Sequence, residues 1–529
     1  MRVAVVGSGP AGLFCAKALV ERGVQVTLLD VGKELDADRR KKAEMLAETP
    51  RNQWPPEIVR NLSDNPTVTP GKVPKKLLFG SDFAYQATHP FAPIDNPDVH
   101  PTPTFSKGGF SMIWGSAALP VSDQDLADWP INHDDLAPYY RKVLQTMPLC
   151  GGDGTLEDAF PSLSPSLDEL YQGAQGRNLL RDLERSKEWL RTRGVLYGPA
   201  RLAIHTTEST SSMGCNSCGF CLSGCPRNAI FNTLGVLDEI CGEGKVEYRN
   251  NSIVHRVDEQ DTGVTVTIID EPTGRQSVET FDAVFLGAGA INTTRILLTS
   301  RELYERTITL KESKKFLLPL LRFKSDTEAM TERQVTLANI FMEINIPALS
   351  KHWIHMQMSP MNDLIMKSFG LAPDAPSSLR RTILSPILQR FMVAWCGLHS
   401  DHGDKFEIKL ARSGAYEPPI LYVRSKPNLD GRRVAWRIAR KLIGIGLRTR
   451  TIFVPYPLFT EPSRGTHCGG AFPMRDKPTD LLDSDILGRP FGWKRVYAVD
   501  SSVFPSIPGT TIAFNIMANA YRIGTNAPL

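Results

Sequence analysis

Four cysteines fall within eleven residues, Cys215, Cys218, Cys221 and Cys225, with Pro226 directly behind the last. Thiolates are soft ligands, and gaps of two, two and three residues let them converge on one inorganic centre. In a first reading Cys215, Cys218 and Cys221 bind three irons of an iron–sulfur cluster. The fourth cysteine of such a run ligates the other cluster in two-cluster proteins. Cys225 then stays out of the cluster, leaving three irons, or is replaced by a distant ligand such as Cys150 or Cys241. A second reading is structural zinc held by all four, although zinc usually takes two separated pairs. In a third, no metal binds. The three readings stay open at this point.

A second chemical motif opens the chain, Gly7-Ser8-Gly9-Pro10-Ala11-Gly12. Gly7 permits a tight turn, Gly9 lets the backbone approach a pyrophosphate, and Gly12 allows close helix–strand packing, with Pro10 and Ala11 leading into the helix. The helix N-terminus faces the phosphates with its partial positive charge. Asp30 ends the next strand, where it can accept hydrogen bonds from the adenosine ribose hydroxyls. Strand, turn, helix and acid in this order mark a dinucleotide site. The motif alone does not separate FAD from NAD.

The elements that must position these groups are legible in outline. Val3 to Val6 is a continuous apolar run, as buried parallel strands are, and Val24 to Leu29 supplies a second strand. Asp36 to about Pro101, rich in Pro, Asn and charge, reads as surface excursions, and Cys150 to Pro165 as a linker. Strands are expected at 247–257, 264–269 and 283–286, with a helix starting at Thr293. From Phe316 to Lys426 the pattern turns β-rich: 316–323, 335–344, 352–358, 391–398, 406–410 and 420–423. Residues 431–450 read as an amphipathic basic helix, solvated on one face in the ordinary case, with a membrane surface as the alternative.

The expected architecture is therefore α/β. A Rossmann-like dinucleotide domain with a parallel sheet is joined to a second, α+β substrate domain on a mostly antiparallel sheet. The first domain is assembled from 1–150, 231–305 and 461–529, the second from 306–460, with 151–230 as linker and cysteine segment. The length of 529 residues suits two or more domains. A hydrophobic content of 41% and a charged content of 22% are ordinary for a globular protein. The net charge of +4 gives no reason to invoke nucleic acid. No run reaches the roughly 20 apolar residues of a membrane helix. The first strand leaves no room for a signal peptide before it. Nine cysteines, four of them clustered, suit a reducing compartment, and the chain reads as cytoplasmic.

Further blocks resemble the glucose–methanol–choline flavoenzymes, especially the sugar dehydrogenase and pyranose oxidase-like branch. Ser106 to Gly115 resembles the loop over the flavin, with Gly108, Gly109 and Ser111 implied as cofactor contacts. Asp128-Trp129-Pro130 and Leu136-Ala137-Pro138-Tyr139-Tyr140 match that branch's linking element. Leu286 to Arg295, with Gly287 and Ala288, resembles its second adenosine-side turn, and Val254 is taken as a further contact. Val496 to Pro505, with Asp500 and Ser501, resembles its closing strand and turn. The resemblance implies FAD. The loop residue that bonds covalently to flavin in some members is Ile113 here, which has no nucleophilic atom, so binding is expected to be non-covalent.

Gly465-Thr466-His467-Cys468-Gly469-Gly470 resembles the family's catalytic histidine block. Oxidising an alcohol by hydride transfer needs a base for the hydroxyl proton, which a neutral imidazole supplies. His467 is the candidate base. The family's second catalytic residue, a His or Asn, corresponds to Thr511, which has neither the reach nor the basicity. Thr510 and Thr511 should still open the final helix, whose N–H groups and dipole favour negative charge on the flavin. On 352–359, one face carries Trp353, His355 and Gln357, a plausible sugar-facing surface or simply a wetted one.

The reading is an FAD-dependent dehydrogenase acting on a CH–OH group of a sugar or sugar derivative. Electrons pass to an external acceptor, a protein or a quinone, with the cysteine-bound cluster as a route. The alternatives are a cluster-free oxidase of long-chain or lipid alcohols and a non-catalytic flavin electron-transfer subunit.

Overall fold

The computed structural model describes residues 1–529 apart from 68–74, 86–88, 98–102, 243, 331, 333, 363, 365, 367–378, 415–416 and 460–465. Parts of the 36–101 excursion, and Gly465 of the histidine block, lie outside the described residues. Arg2–Val6 is the centre of a five-stranded parallel sheet. Ala283–Leu286 and then Val496–Ala498 lie on one side, Gln25–Leu29 and then Val246–Arg249 on the other. The apolar run of the first strand is buried, with helix Pro10–Glu21 packed against it and antiparallel strands contacting the same sheet. Helix Pro10–Glu21 starts with Pro in its first turn and packs on the closing helix Ala513–Asn526. The two ends of the chain thus build one core.

The strand expected over 247–257 is two strands, Val246–Arg249 and Ser252–Gln260. Asn251 divides them at φ 54°, a left-handed conformation that Asn tolerates better than most residues. The second piece leaves the parallel sheet for a three-stranded antiparallel one with Gly263–Asp270 and Gln276–Phe281.

The second domain is built on a seven-stranded antiparallel sheet, as its alternation predicts. Its order is Thr451–Phe453, Lys314–Arg322, Phe391–Leu398, Ile354–Pro360, Ile340–Ile344 and Val195–Pro199, with Leu458–Phe459 beside the second. The expected strand over 335–344 is shorter, and Val195–Pro199 was not evident from pattern. Strands Lys405–Ala411 and Ile420–Lys426 do not join this sheet. They pair with Thr307–Glu312 in a separate sheet, and Phe406, Ile408, Leu410 and Val423 pack into the nucleotide-side core.

Helix Leu429–Arg448 buries Val434, Ile438, Leu442 and Ile445 against Phe316, Leu318 and Leu320, so its apolar stripe is spent on the sheet. No helix among the described residues is long and apolar enough to cross a membrane. The stretch read as a linker is packed rather than open. Cys150, Leu156 and Phe160 are buried in one cluster, and Cys150–Gly151 pairs with Asp168–Glu169.

Beyond the strand ends of the large sheet, His352 lies between two carboxylates, Asp125 at 3.2 Å and Asp401 at 3.1 Å. Its ring stacks on His399, with centroids 3.4 Å apart. Lone pairs lie in the plane of each ring, so stacked rings do not aim at one ion, and the cluster is an ion-pair network. Burial opposes the charged ring, but the hydrogen bonds to Asp125 and Asp401 outweigh it and hold the His352 pKa up at about 9. The folded value exceeds the unfolded one of about 6.5. The stabilisation is therefore complete below about pH 6.5 and is lost as pH rises through about 9. Thermal melts are expected to show this decline in the native chain, and a flatter profile over the same window in His352→Gln. Parallel profiles would remove His352 as its source.

Candidate active site

A cavity of about 650 Å³ runs between the parallel sheet and the seven-stranded sheet. Gly7, Gly9, Pro10 and Ala11 line it at one end with Asp30. Gly109 and Ser111 approach from the loop, and Val254, Gly287 and Ala288 from the neighbouring strands. Asp500, Ser501 and Thr511 line it from the closing segment, and His467 from the loop before it. Residues far apart in sequence thus meet on one wall. Gly12, Gly108 and Thr510 are not on that wall.

Gly12 has a packing role. A Cβ there would stand 1.8 Å from the Gly7 carbonyl oxygen, so helix and turn meet only because that atom is missing. The Gly108 N–H donates to Ser8 Oγ at 2.9 Å, which ties the second Gly loop to the first. Thr233, not evident from sequence, donates to the Ser8 carbonyl at 3.1 Å and the Gly108 carbonyl at 3.2 Å. Ser8 also donates to Asp30, and Tyr248 OH does so at 3.2 Å. Burial lifts the Asp30 pKa to about 6 against those two hydrogen bonds, leaving it a carboxylate at neutral pH.

Beside Val254, two polar groups on helix Ala290–Ser300 face the cavity with buried atoms that have no protein partner. They are Asn292 Oδ1 and Arg295 Nε and Nη2. Burial lowers the Arg295 pKa to about 9. Unpartnered buried donors and acceptors are costly, so their presence fits a polar ligand at this end. The Gly turns, Asp30 and these groups together fit an adenine dinucleotide.

At the other end, three strands face the cavity with alternate residues in matched rows. Lys315, Gly397 and His355 are cross-strand neighbours, as are Leu317, Trp395 and Gln357, then Pro319, Val393 and Ser359. All nine line the cavity. The period of two that suggested a Trp353, His355 and Gln357 face is correct for the last two, while Trp353 is buried elsewhere. The opposite face, with Ile354, Met356 and Met358, is core.

His467 faces this row, with Nδ1 buried and without a hydrogen-bond partner. Burial, then the charge of Lys315, hold its pKa well below the ordinary histidine range, so the ring is neutral. Lys315 donates to the Gly509 carbonyl at 3.0 Å, and burial lowers its own pKa to about 8. Lys315→Met should therefore raise the pKa of His467 toward its ordinary value. The acidic limb of an alcohol-driven reduction profile is expected to move to higher pH. An unmoved limb would show that Lys315 does not act on this ring.

Thr511 is committed elsewhere. Its Oγ1 accepts from the Leu119 N–H at 3.0 Å, and its carbonyl accepts from Asn515 Nδ2 at 2.8 Å. Thr510 is fully buried, and its Oγ1 has no partner.

Residues 5–66 match the model of an NAD(P)-binding Rossmann-like domain. A 313-residue segment is 25% identical to 2-methyl-1,2-propanediol dehydrogenase of Mycolicibacterium austroafricanum, covering 57% of this chain and 51% of that enzyme. The chain thus spans about half the length of that curated relative. Over 99% of its length it superposes on pyridoxine 4-oxidase from Mesorbium loti, covering 98% of that chain with a TM-score of 0.55 and 13% identity. It has the fold of that oxidase.

The linking motif of that fold is a brace here. Ser506 donates to Asp128 Oδ1 at 2.8 Å and accepts from Trp129 Nε1 at 2.9 Å. Tyr140 OH donates to Asn515 Oδ1 and accepts from the Val121 N–H at 3.2 Å. Both ties hold the turn that leads into the closing helix.

The four cysteines lie outside the cavity wall but against it. Leu222 of their segment lines the cavity with Lys76 and Trp114, and Lys76 donates to the Trp114 carbonyl at 2.7 Å. Cys225 Sγ accepts from the Ala229 N–H at 3.1 Å and Cys215 Sγ from the Ser217 N–H at 3.5 Å, but burial outweighs these contacts and pushes both thiols up, Cys225 to about 11. A single tetrahedral zinc, with Zn–S near 2.3 Å, needs sulfurs about 3.8 Å apart. Among the described residues, three metal-ligating atoms come within 4.8 Å of one another only at His352, His399 and Asp401. No three of the four cysteine sulfurs lie within 4.8 Å of one another. Of the two distant candidates, Cys150 packs in the same cluster as Cys215, Cys221 and Cys225, whereas Cys241 packs against the nucleotide-side core.

Proposed function

We propose that this protein is an FAD-dependent oxidoreductase acting on a CH–OH group, with His467 as base. The observation that carries the reading is one continuous cavity that joins a dinucleotide cradle to an imidazole held neutral by burial and by Lys315. FAD bound there supplies the two-electron hydride acceptor. Gly7, Gly9 and the first helix turn accommodate its pyrophosphate, Asp30 its ribose, and Val254, Asn292 and Arg295 its adenine end. His467 takes the hydroxyl proton. Residues at the start of the closing helix turn backbone N–H groups toward the same end of the cavity. Ile113 leaves the cofactor non-covalent.

A sugar or sugar derivative is the substrate class that the motifs imply. The rows beyond His355 favour a second reading, because Leu317, Pro319, Val393 and Trp395 offer a mostly apolar wall. An alcohol with an apolar body suits that wall, and the related dehydrogenase is named for a branched diol. The cysteine segment is the place for an iron–sulfur centre, which would supply one-electron transfer to an external acceptor, and this favours a dehydrogenase over an oxidase.

Anaerobic purification followed by an absorption spectrum, acid extraction and iron and sulfide counts tests the reading. Flavin bands, free FAD in the acid supernatant, and iron with sulfide in near-equal amounts are expected. A colourless protein that takes up no dinucleotide would overturn the assignment. Flavin without iron would remove only the cluster.

A further inference from the structure

Thr511 leaves a gap in the reacting centre, since its hydroxyl is spent on Leu119. The sheet beneath it supplies an occupant. Lys315, Gly397, His355 and Glu343 are successive cross-strand neighbours in a single row. A Cβ on Gly397 would stand 2.1 Å from the Gly509 carbonyl oxygen. The Gly509–Thr511 turn therefore rests directly on this row, between Lys315 and His355.

His355 is held on three sides. Glu343 Oε1 is bonded to Nδ1, the Gln357 amide nitrogen lies 2.9 Å from Nε2, and Phe341 meets the ring edge-on at 5.1 Å. Glu343 is fully buried, and its second oxygen has no partner. Two apolar residues would hold a strand pair at least as well as a buried Glu–His pair, so packing does not account for it. His355 lines the cavity that His467 lines, with Glu343 buried behind it.

We infer that His355 is the second imidazole of the reacting centre, donating from Nε2 to the substrate oxygen, and that Glu343 is the positioning residue that fixes its tautomer. The proposal rests on the CH–OH reading above. Burial and the nearby Asp125 raise the Glu343 pKa, and burial and Lys315 lower that of His355, so both are neutral. A protonated Glu343 donates to Nδ1, which places the imidazole proton on Nε2; the Gln357 amide must then turn its oxygen to that N–H, or give way to another acceptor. The substrate hydroxyl displaces the Gln357 amide, donates its own proton to His467 and accepts from His355 Nε2–H. With a flavin bound in the cavity as the hydride acceptor, the C–H hydride would leave to it while the O–H proton moves to His467 and the C=O bond forms, the charge building on oxygen being opposed by that donor. His467 is the acceptor and His355 the donor.

The test uses the holoenzyme with 2-methyl-1,2-propanediol and D-glucose as reductants, and ¹⁵N-histidine spectra of the same samples. His355→Phe is expected to slow cofactor bleaching about 10²- to 10³-fold with dinucleotide content unchanged. Glu343→Gln, whose amide still donates to Nδ1, should stay within a few-fold of the native rate. Glu343→Leu should lower kcat more than it raises KM. In the spectra, the resonance lost in His355→Phe should report a protonated Nε2 in the native chain and in Glu343→Gln, and mixed tautomers in Glu343→Leu. A native rate in His355→Phe, or an unprotonated Nε2 in the native chain, would overturn the proposal. If neither alcohol bleaches the native holoenzyme while the tautomer is as stated, the CH–OH reading fails and takes the oxygen contact with it, leaving only a structural Glu–His pair.

Discussion

His467→Ala is expected to slow alcohol-driven reduction by about 10²- to 10⁴-fold, the usual loss when a positioned base is removed. The dinucleotide should remain bound, because His467 lies at the opposite end of the cavity from Asp30 and the Gly turns. Reduction by dithionite, which needs no base, should be unaffected. The contrast separates an enzyme from a flavin-binding electron carrier, since a carrier would accept electrons at the native rate in the variant. A charged ring could not take a proton, and burial together with Lys315 keeps it uncharged. Stopped-flow bleaching of the variant at the native rate would end the proposed role.

Gly12→Ala is expected to abolish dinucleotide retention. The added methyl would lie 1.8 Å from the Gly7 carbonyl, well inside contact distance. Neither neighbour can yield cheaply. Gly7 is pinned by its N–H bond to the Leu29 carbonyl at 2.8 Å, and the Gly287 N–H, bonded to the Val6 carbonyl at 2.9 Å, closes the other side. The helix must lift away from the strand, withdrawing its N-terminal N–H groups from the pyrophosphate position. Overpacking of this kind costs about 1–3 kcal/mol or more. Purified Gly12→Ala should be colourless with a lowered melting temperature. A yellow variant of native stability would show that the turn relaxes in a way the packing does not suggest.

The dinucleotide cradle was legible because its requirements are local. A tight turn, a close approach and a helix start each demand a residue type at a set spacing, and Gly7, Gly9, Gly12 and Asp30 meet them within one strand–helix–strand unit. The antiparallel strands were legible for a similar reason, since alternation in 352–359 forces alternate residues onto opposite faces. Sheet membership was not. Strands 406–410 and 420–423 carry the same alternation as their neighbours, yet they join another sheet, because pairing partners are chosen across the chain.

The polar end of the cavity shows the same division. His467 stood out through its flanking small residues and the family block they resemble, and the weakness of Thr511 was visible from its side chain alone. Lys315 and Glu343 carried no local signal. Lys315 opens an apolar strand, and Glu343 is one acid in a buried one. Their significance comes from register, which brings Lys315, Gly397, His355 and Glu343 into line from four separate strands.

Residue order by itself determined the nucleotide turn, the candidate base and the gap at Thr511, because each is a matter of what one short segment can do. Tertiary structure decided what surrounds that gap and which core the cysteine segment packs against. Cross-strand register and the burial of a charge depend on residues hundreds of positions apart, and only the folded chain sets the distances through which they act.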